Sequence, residues 1–306
     1  MDSFDAFDEA TRTICKVLAG LTTFLILLLF AVYFKREKWN ISTALNTQLA
    51  ICCMLHTIPY IFWDLQPGVF CDLQSAFEPA TFTGIFSFCA IIVYMAYIMF
   101  ACPEQYMKYE KIYNNCSSII CWALSLFVFC LTLFGDESIQ TSLGQCRGGK
   151  SVTVSVIYLL IILSCIVFTI TYLVFLIKNI APALELSESS EHKRYYFKRM
   201  IVIIIVEFLI ICVLSAFIAL ELRYQANSKT GTSTTSVYTK TLVITETIIP
   251  LVCVIGFCYN EKTTNDLKEM IFCKKTEEEE DYTHMNNEKD EEIRRTILEN
   301  TVSTGV

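Results

Sequence analysis

Three carboxylates stand in stretches that otherwise carry almost no charge: Glu78, Glu207 and Glu246. An ionised carboxylate at the centre of a bilayer costs about 2.5–3.5 kcal/mol even on the lenient insertion scale, so it faces a bundle interior or water. Glu78 follows Cys71 by seven residues, about 10 Å along a helix at a rise of 1.5 Å. Glu246 follows Lys240 by six. The two are expected at similar depth, lining one outward-facing cavity. Glu207, eight residues after Arg199, is expected nearer the opposite face. Two readings stay open. Glu78 and Glu246 form a ligand pocket with Glu207 in an inner switch, or each carboxylate is protonated or paired and serves only helix packing. The basic residues Arg147, Lys150, Arg223 and Lys240 are placed to meet an anionic ligand, lipid headgroups or solvent. His56, His192 and His284 are scattered, with no spacing that holds a metal. No catalytic constellation is visible, so neither an enzyme nor a cofactor is expected.

The elements that must position these groups are membrane helices. The chain has 306 residues, 54% of them hydrophobic, and its charge is segregated toward the ends and loops. A helix needs about 20 apolar residues to cross the hydrocarbon core. Seven stretches qualify: 14–34, 44–62, 77–100, 117–134, 152–177, 200–220 and 241–259. They must be helices, because an open strand leaves its backbone unsatisfied in lipid. The expected fold is an all-α membrane protein, a seven-transmembrane-helix bundle over 14–260. A short extracellular N-terminus (1–13) precedes it. An amphipathic cytosolic helix (261–275) and a charged, disordered tail (276–306) follow. Pro59 and Pro250 are expected to kink the second and seventh spans.

Orientation follows from the Lys and Arg residues between the spans. One side holds fourteen: Lys35, Arg36, Lys38, Lys108, Lys111, Lys178, Lys193, Arg194, Lys198, Arg199, Lys262, Lys268, Lys274 and Lys275. The other holds seven, Arg12, Lys16, Arg147, Lys150, Arg223, Lys229 and Lys240. The richer side is expected in the cytosol, with the N-terminus outside and the C-terminus inside. Two sequons, at Asn40 and Asn115, fall on the inner side by this count and oppose it weakly. The net charge of −7 comes largely from acidic ends and carries no sign of nucleic-acid binding.

Of fifteen cysteines, Cys71 and Cys146 lie clearly in outer segments. In an oxidising exterior they are natural disulfide partners, the alternative being two free thiols. The remaining cysteines read as small apolar packing residues, apart from Cys273. That residue closes the amphipathic stretch and is a candidate for palmitoylation, an unmodified thiol being the other reading.

Several of these features, in order, resemble the G-protein-coupled receptor superfamily in its cyclic-AMP-receptor-like branch, known from social amoebae. Cys71 heads the third span, and Ala90-Ile-Ile-Val-Tyr-Met95 closes it. Pro103-Glu104, Lys108-Tyr109 and Cys121-Trp122-Ala-Leu124 follow. Gly144-Gln-Cys146 resembles the second disulfide partner of that branch. His192-Lys-Arg-Tyr-Tyr-Phe-Lys198 enters the sixth span, and Tyr259-Asn260 closes the seventh. The resemblance covers roughly 71–272. The Asp-Arg-Tyr and Asn-Pro-x-x-Tyr signatures of rhodopsin-like receptors are absent, and Ile85 and Phe88 replace tryptophans of the branch.

The resemblance implies a plasma-membrane receptor that binds a small extracellular ligand between the outer halves of its helices and activates a heterotrimeric G protein. Lys108, Lys111, Lys193, Arg194, Lys198 and Arg199 would face that G protein. Glu78, Glu246, Arg147 and Lys240 would face the ligand. The rival expectation is an ion- or proton-coupled transporter or channel using the three glutamates, although the internal repeats common in transporters are not evident. A scaffold of receptor shape without G-protein coupling is a further alternative.

Overall fold

The computed structural model describes residues 3–35, 41–61, 69–135, 138–140, 146–148, 151–185, 237–258 and 263–267. Its long helices are α1 (Ser3–Lys35), α2 (Ile41–Ile61), α3 (Val69–Ala101), α4 (Pro103–Gly135), α5 (Val152–Glu185) and α6 (Val237–Cys253). A π-helical turn, Val254–Cys258, continues α6. Between α4 and α5 lies an antiparallel hairpin of β1 (Ser138–Gln140) and β2 (Cys146–Gly148), with Ile139 opposite Arg147. The chain divides into two compact units after Asn260, and in the second the described residues are a helical turn at 263–267.

Among the described residues, four helices are long and apolar enough to cross a membrane: Glu9–Lys35, Val69–Met99, Lys108–Gly135 and Thr153–Lys178. They make this a multi-pass membrane protein by length and composition. Of the seven expected spans, these are the first, third, fourth and fifth. The seventh is represented by a shorter apolar stretch, Val243–Cys258. Helix α2 holds the second but carries Asn46, Gln48, His56 and Pro59, and it falls outside the set of four. The sixth, 200–220, lies outside the described residues.

Helices extend beyond the apolar stretches that announce them. α1 begins at Ser3, inside the segment expected as a free N-terminus, and α3 begins at Val69 rather than near 77. α4 starts at Pro103, a favourable first helical residue because its missing N–H has no partner to lose there. Hydropathy marks the hydrocarbon-facing part of a helix, while intrahelical hydrogen bonding carries the same helix on into polar surroundings. The hairpin went unforeseen, since its two three-residue strands are too short for any alternation to register.

Helix α3 is the axis of the bundle. About 61% of its apolar window is inside the protein, against 17% for α5. It packs against α2, α4, α5, the hairpin and α6, while α1 packs on α2 and α6. Outward faces are apolar: Ile14, Val17, Leu21, Phe24 and Leu27 recur at three- and four-residue spacing on α1 and are exposed. Val156, Leu160, Leu163 and Val167 do the same on α5. Such stripes suit lipid, which offers helices no hydrophobic drive to associate and leaves close packing and polar bonds to hold them together. Hydroxyls inside the spans are largely satisfied by their own helix, as when Thr22, Thr83 and Thr132 donate to the carbonyls of Leu18, Pro79 and Val128. At the far end of α3, Tyr94 and Tyr97 pack on Phe168, Tyr172 and Phe175 of α5, with ring centroids 4.8 Å apart for Tyr94 and Tyr172.

Gly84 marks the closest approach of three helices. A Cβ there would lie 2.7 Å from Ser125 Oγ of α4 and 2.9 Å from Cys52 Sγ of α2. Gly20 of α1 has nothing within 4 Å of such an atom. Gly84→Val is therefore expected to destabilise the bundle by about 1–3 kcal/mol through overpacking. Gly20→Ala is expected to be neutral or to stabilise by up to about 1 kcal/mol from helix propensity. Thermal unfolding of both variants in detergent reads the contrast, and equal effects would contradict the close crossing.

Candidate functional site

Polar residues recur along one face of α2 and one face of α3. On α3 the series is Cys71, Gln74, Glu78 and Thr81, and on α2 it is Asn46, Cys53, His56 and Tyr60. Steps of three, four and seven hold residues on a single helical face. The two faces meet, and a column of buried polar contacts results. It runs from the end of the bundle that carries the disulfide to the end that carries Lys35, Lys108, Lys111 and Lys178.

At the disulfide end, Cys71 and Cys146 are joined, with their Cα atoms 5.2 Å apart. The bond ties β2 to the first turn of α3, and Gln74 repeats the tie by hydrogen bonding. Its Oε1 accepts from the Cys146 backbone N–H at 3.1 Å, and its Nε2 donates to the Pro59 carbonyl at 3.2 Å. One buried side chain thereby holds the hairpin, α3 and α2 together. A turn further in, the Tyr60 hydroxyl donates to Glu78 Oε1 at 2.9 Å, and Glu246 Oε2 of α6 lies 3.5 Å from the same oxygen. A phenol has one hydrogen to give, so the shorter contact is the full bond and the longer one stands at the limit of bonding distance. The Tyr60 ring is seated among Cys15 and Ala19 of α1 and Val243 of α6. Next inward, His56 Nδ1 meets Thr81 Oγ1 at 3.0 Å, and the His56 ring packs on Tyr60 and Phe82.

Beyond Gly84 the contacts continue toward the lysine end. Trp122 of α4 donates its indole N–H to Gln48 Oε1 at 3.0 Å, and Gln48 Nε2 donates to Ser118 Oγ at 2.9 Å. Phe88 of α3 lies edge-on against the Trp122 ring. Cys89 and Cys253 bring α3 and α6 within 3.9 Å, sulfur to sulfur. Finally Asn46 Nδ2 donates to the Phe257 carbonyl at 3.0 Å, and Cys258 Sγ contacts the Asn46 carbonyl at 3.4 Å.

Glu78 and Glu246, expected at one depth, converge on Tyr60, and Glu78 is 7% exposed. Lys240, expected at the outer edge of its span, is buried at 3% exposure in the first turns of α6. Arg147 sits in β2 opposite Ile139. Lys108 and Lys111 are exposed near the start of α4, where the Lys108 ammonium lies 5.2 Å from the Tyr109 ring centroid. In the same turns, burial and then the neighbouring Glu110 carboxylate raise the Tyr106 phenol above its ordinary value. Lys193, Arg194, Lys198, Arg199, Glu207 and Cys273 lie outside the described residues. Most free cysteines are buried as expected, but Cys102, Cys116 and Cys130 are exposed.

Tyr60, Gln74, Gln48 and Asn46 went unnoticed in the sequence. Their signal was present, since Asn46, His56 and Tyr60 are polar or amphipathic groups on one face of an apolar span. Among the described residues, no group of His, Cys, Asp and Glu side chains is arranged to hold a metal.

The architecture is that of a multi-pass helical membrane protein with a disulfide-tied hairpin at one end and a buried polar column joining α2, α3 and α6. No protein-family model matches the sequence, and a search of curated proteins finds no match either.

Tyr60→Phe removes the hydrogen that Tyr60 donates to Glu78. Interhelical bonds inside membranes are worth about 0.6 kcal/mol on average and about 1.7 at most. The variant is expected near the upper figure, because a buried carboxylate loses its donor. Glu246→Gln, on the 3.5 Å contact, is expected to cost less. Comparative unfolding in detergent orders the two, and the reverse order would show Glu246 to be the main partner.

Proposed function

We propose that this chain is a seven-transmembrane cell-surface receptor that binds a small extracellular ligand within its helical bundle and activates a heterotrimeric G protein. The observation that carries this reading is the tie between the hairpin and α3, made by Cys71–Cys146 and by Gln74, directly above the Tyr60–Glu78–Glu246 contact. A ligand pressing on the hairpin or entering beneath it acts on α2, α3 and α6 at once. Disulfides belong to oxidising compartments, which supports an extracellular position for this end. The lysine-rich end is then cytosolic, with the N-terminus outside and the C-terminus inside. Glu78, Glu246, Lys240 and Arg147 are the proposed ligand residues. Lys108 and Lys111, with Lys193, Arg194, Lys198 and Arg199, form the proposed G-protein contact. The ligand shifts a pre-existing equilibrium between bundle conformations through its differential affinity for them. The resemblance to the cyclic-AMP-receptor-like branch supports the reading.

One observation favours a second reading. Two carboxylates on a shared phenol are groups through which a proton can pass, and intramembrane carboxylates commonly mark proton paths. On that reading the chain is a proton- or ion-coupled transporter or channel.

Nucleotide exchange on heterotrimeric G proteins of the native cell, in membranes holding the protein, separates the two. Wild type is expected to stimulate exchange, and a Lys108→Ala/Lys111→Ala/Lys198→Ala/Arg199→Ala variant to lose most of that stimulation at equal expression. Proton flux into liposomes holding the purified protein, abolished by Tyr60→Phe and absent exchange activity, would instead establish the transporter.

A further inference from the structure

Helix α6 is held by different partners before its π-helical turn and at the end of that turn. On the near side, Val243 packs against Tyr60 and Cys15, Glu246 lies 3.5 Å from the Tyr60 hydroxyl, and Cys253 meets Cys89 of α3. Pro250, inside this stretch, has no N–H for the carbonyl four residues back and so weakens the ladder leading into the π turn. At the end of the turn, two polar contacts reach one residue of α2. Asn46 donates to the Phe257 carbonyl, and the Cys258 thiol contacts the carbonyl of the same Asn46. Asn46 is 3% exposed and lies in a span, where an amide that loses its acceptor finds no water to replace it.

A π turn bonds each N–H five residues back rather than four, so it holds one residue more than an α turn would. Tightening it to α turns everything beyond it by one residue, about 100° about the axis with a 1.5 Å shift. Such a rotation carries the Phe257 carbonyl and Cys258 away from Asn46 and leaves Cys253 beside Cys89. We propose that Val254–Cys258 is a register switch, held in its π form by Asn46 and converted to an α turn when that bond is released. This inference does not rest on the receptor reading, because a transporter or scaffold with the same helix would carry the same switch.

The test uses native thiols in the full-length protein in membranes. Cys52, Cys253 and Cys258 are all buried. Their labelling by the membrane-permeant reagent N-ethylmaleimide is followed residue by residue by mass spectrometry. Two variants address the switch: Asn46→Leu, which removes the latch, and deletion of Gly256, which removes the extra residue of the π turn. Both are expected to label Cys258 roughly tenfold faster than wild type, the change that releasing a bond of about 1.4 kcal/mol gives. Labelling of Cys52 and Cys253 is expected to stay at the wild-type rate. An unchanged Cys258 rate in either variant overturns the proposal. Equal acceleration at all three cysteines also overturns it, since Asn46 and the π turn would then serve general packing rather than a local register change.

Discussion

A polar side chain inside hydrocarbon has only the rest of the bundle to bond with, and α3 carries six buried ones: Gln74, Ser75, Glu78, Thr81, Thr83 and Ser87. Part of that demand is met within the helix, where Thr81, Thr83 and Ser87 donate to its own carbonyls. Glu78 and Gln74 cannot be served that way and need donors or acceptors from outside. That need encloses α3. Gly84 allows the enclosure by letting α2 and α4 approach closely, and α1, α4 and α5 then turn their apolar stripes outward.

The hairpin follows from the same demand. Gln74 has both a donor and an acceptor to satisfy, and it meets β2 with one and α2 with the other. The disulfide adds a covalent tie at the same place across 75 residues of chain. A loop of that size confines the unfolded chain in water by roughly 4 kcal/mol, and by less where membrane insertion already restricts the helices. The hairpin is thus fastened to the helix on which the polar column depends. A force on one is a force on the other.

Helices α2 and α6 touch near both ends of the column, through Tyr60 and Glu246 at one and through Asn46 and Phe257 at the other. Pro250 lies between those contacts, and the π turn carries the second of them. A helix fixed at two points with weakened hydrogen bonding between them has few ways to move: it bends at the proline or rewinds at the π turn.

Much of this was legible in the sequence. Runs of apolar residues announce membrane helices because only a helix satisfies its backbone in lipid, and among the described residues four are long enough to cross. Cys71 and Cys146, the two cysteines that fall between the apolar runs on one side, announced their own bond. Counting residues along the helices put Glu78 and Glu246 at one depth, because helical rise is constant. Rise says nothing about rotation. Which side chain faces which depends on the turn, tilt and spacing of each helix against its neighbours, and those are set by packing across the whole bundle. So the tertiary structure alone decided that a tyrosine would join the two glutamates, that Lys240 would be buried rather than at the rim, and that a glutamine would fasten the hairpin. The π turn belongs with these, because its extra residue is stabilised by Asn46, more than 200 residues away in the chain.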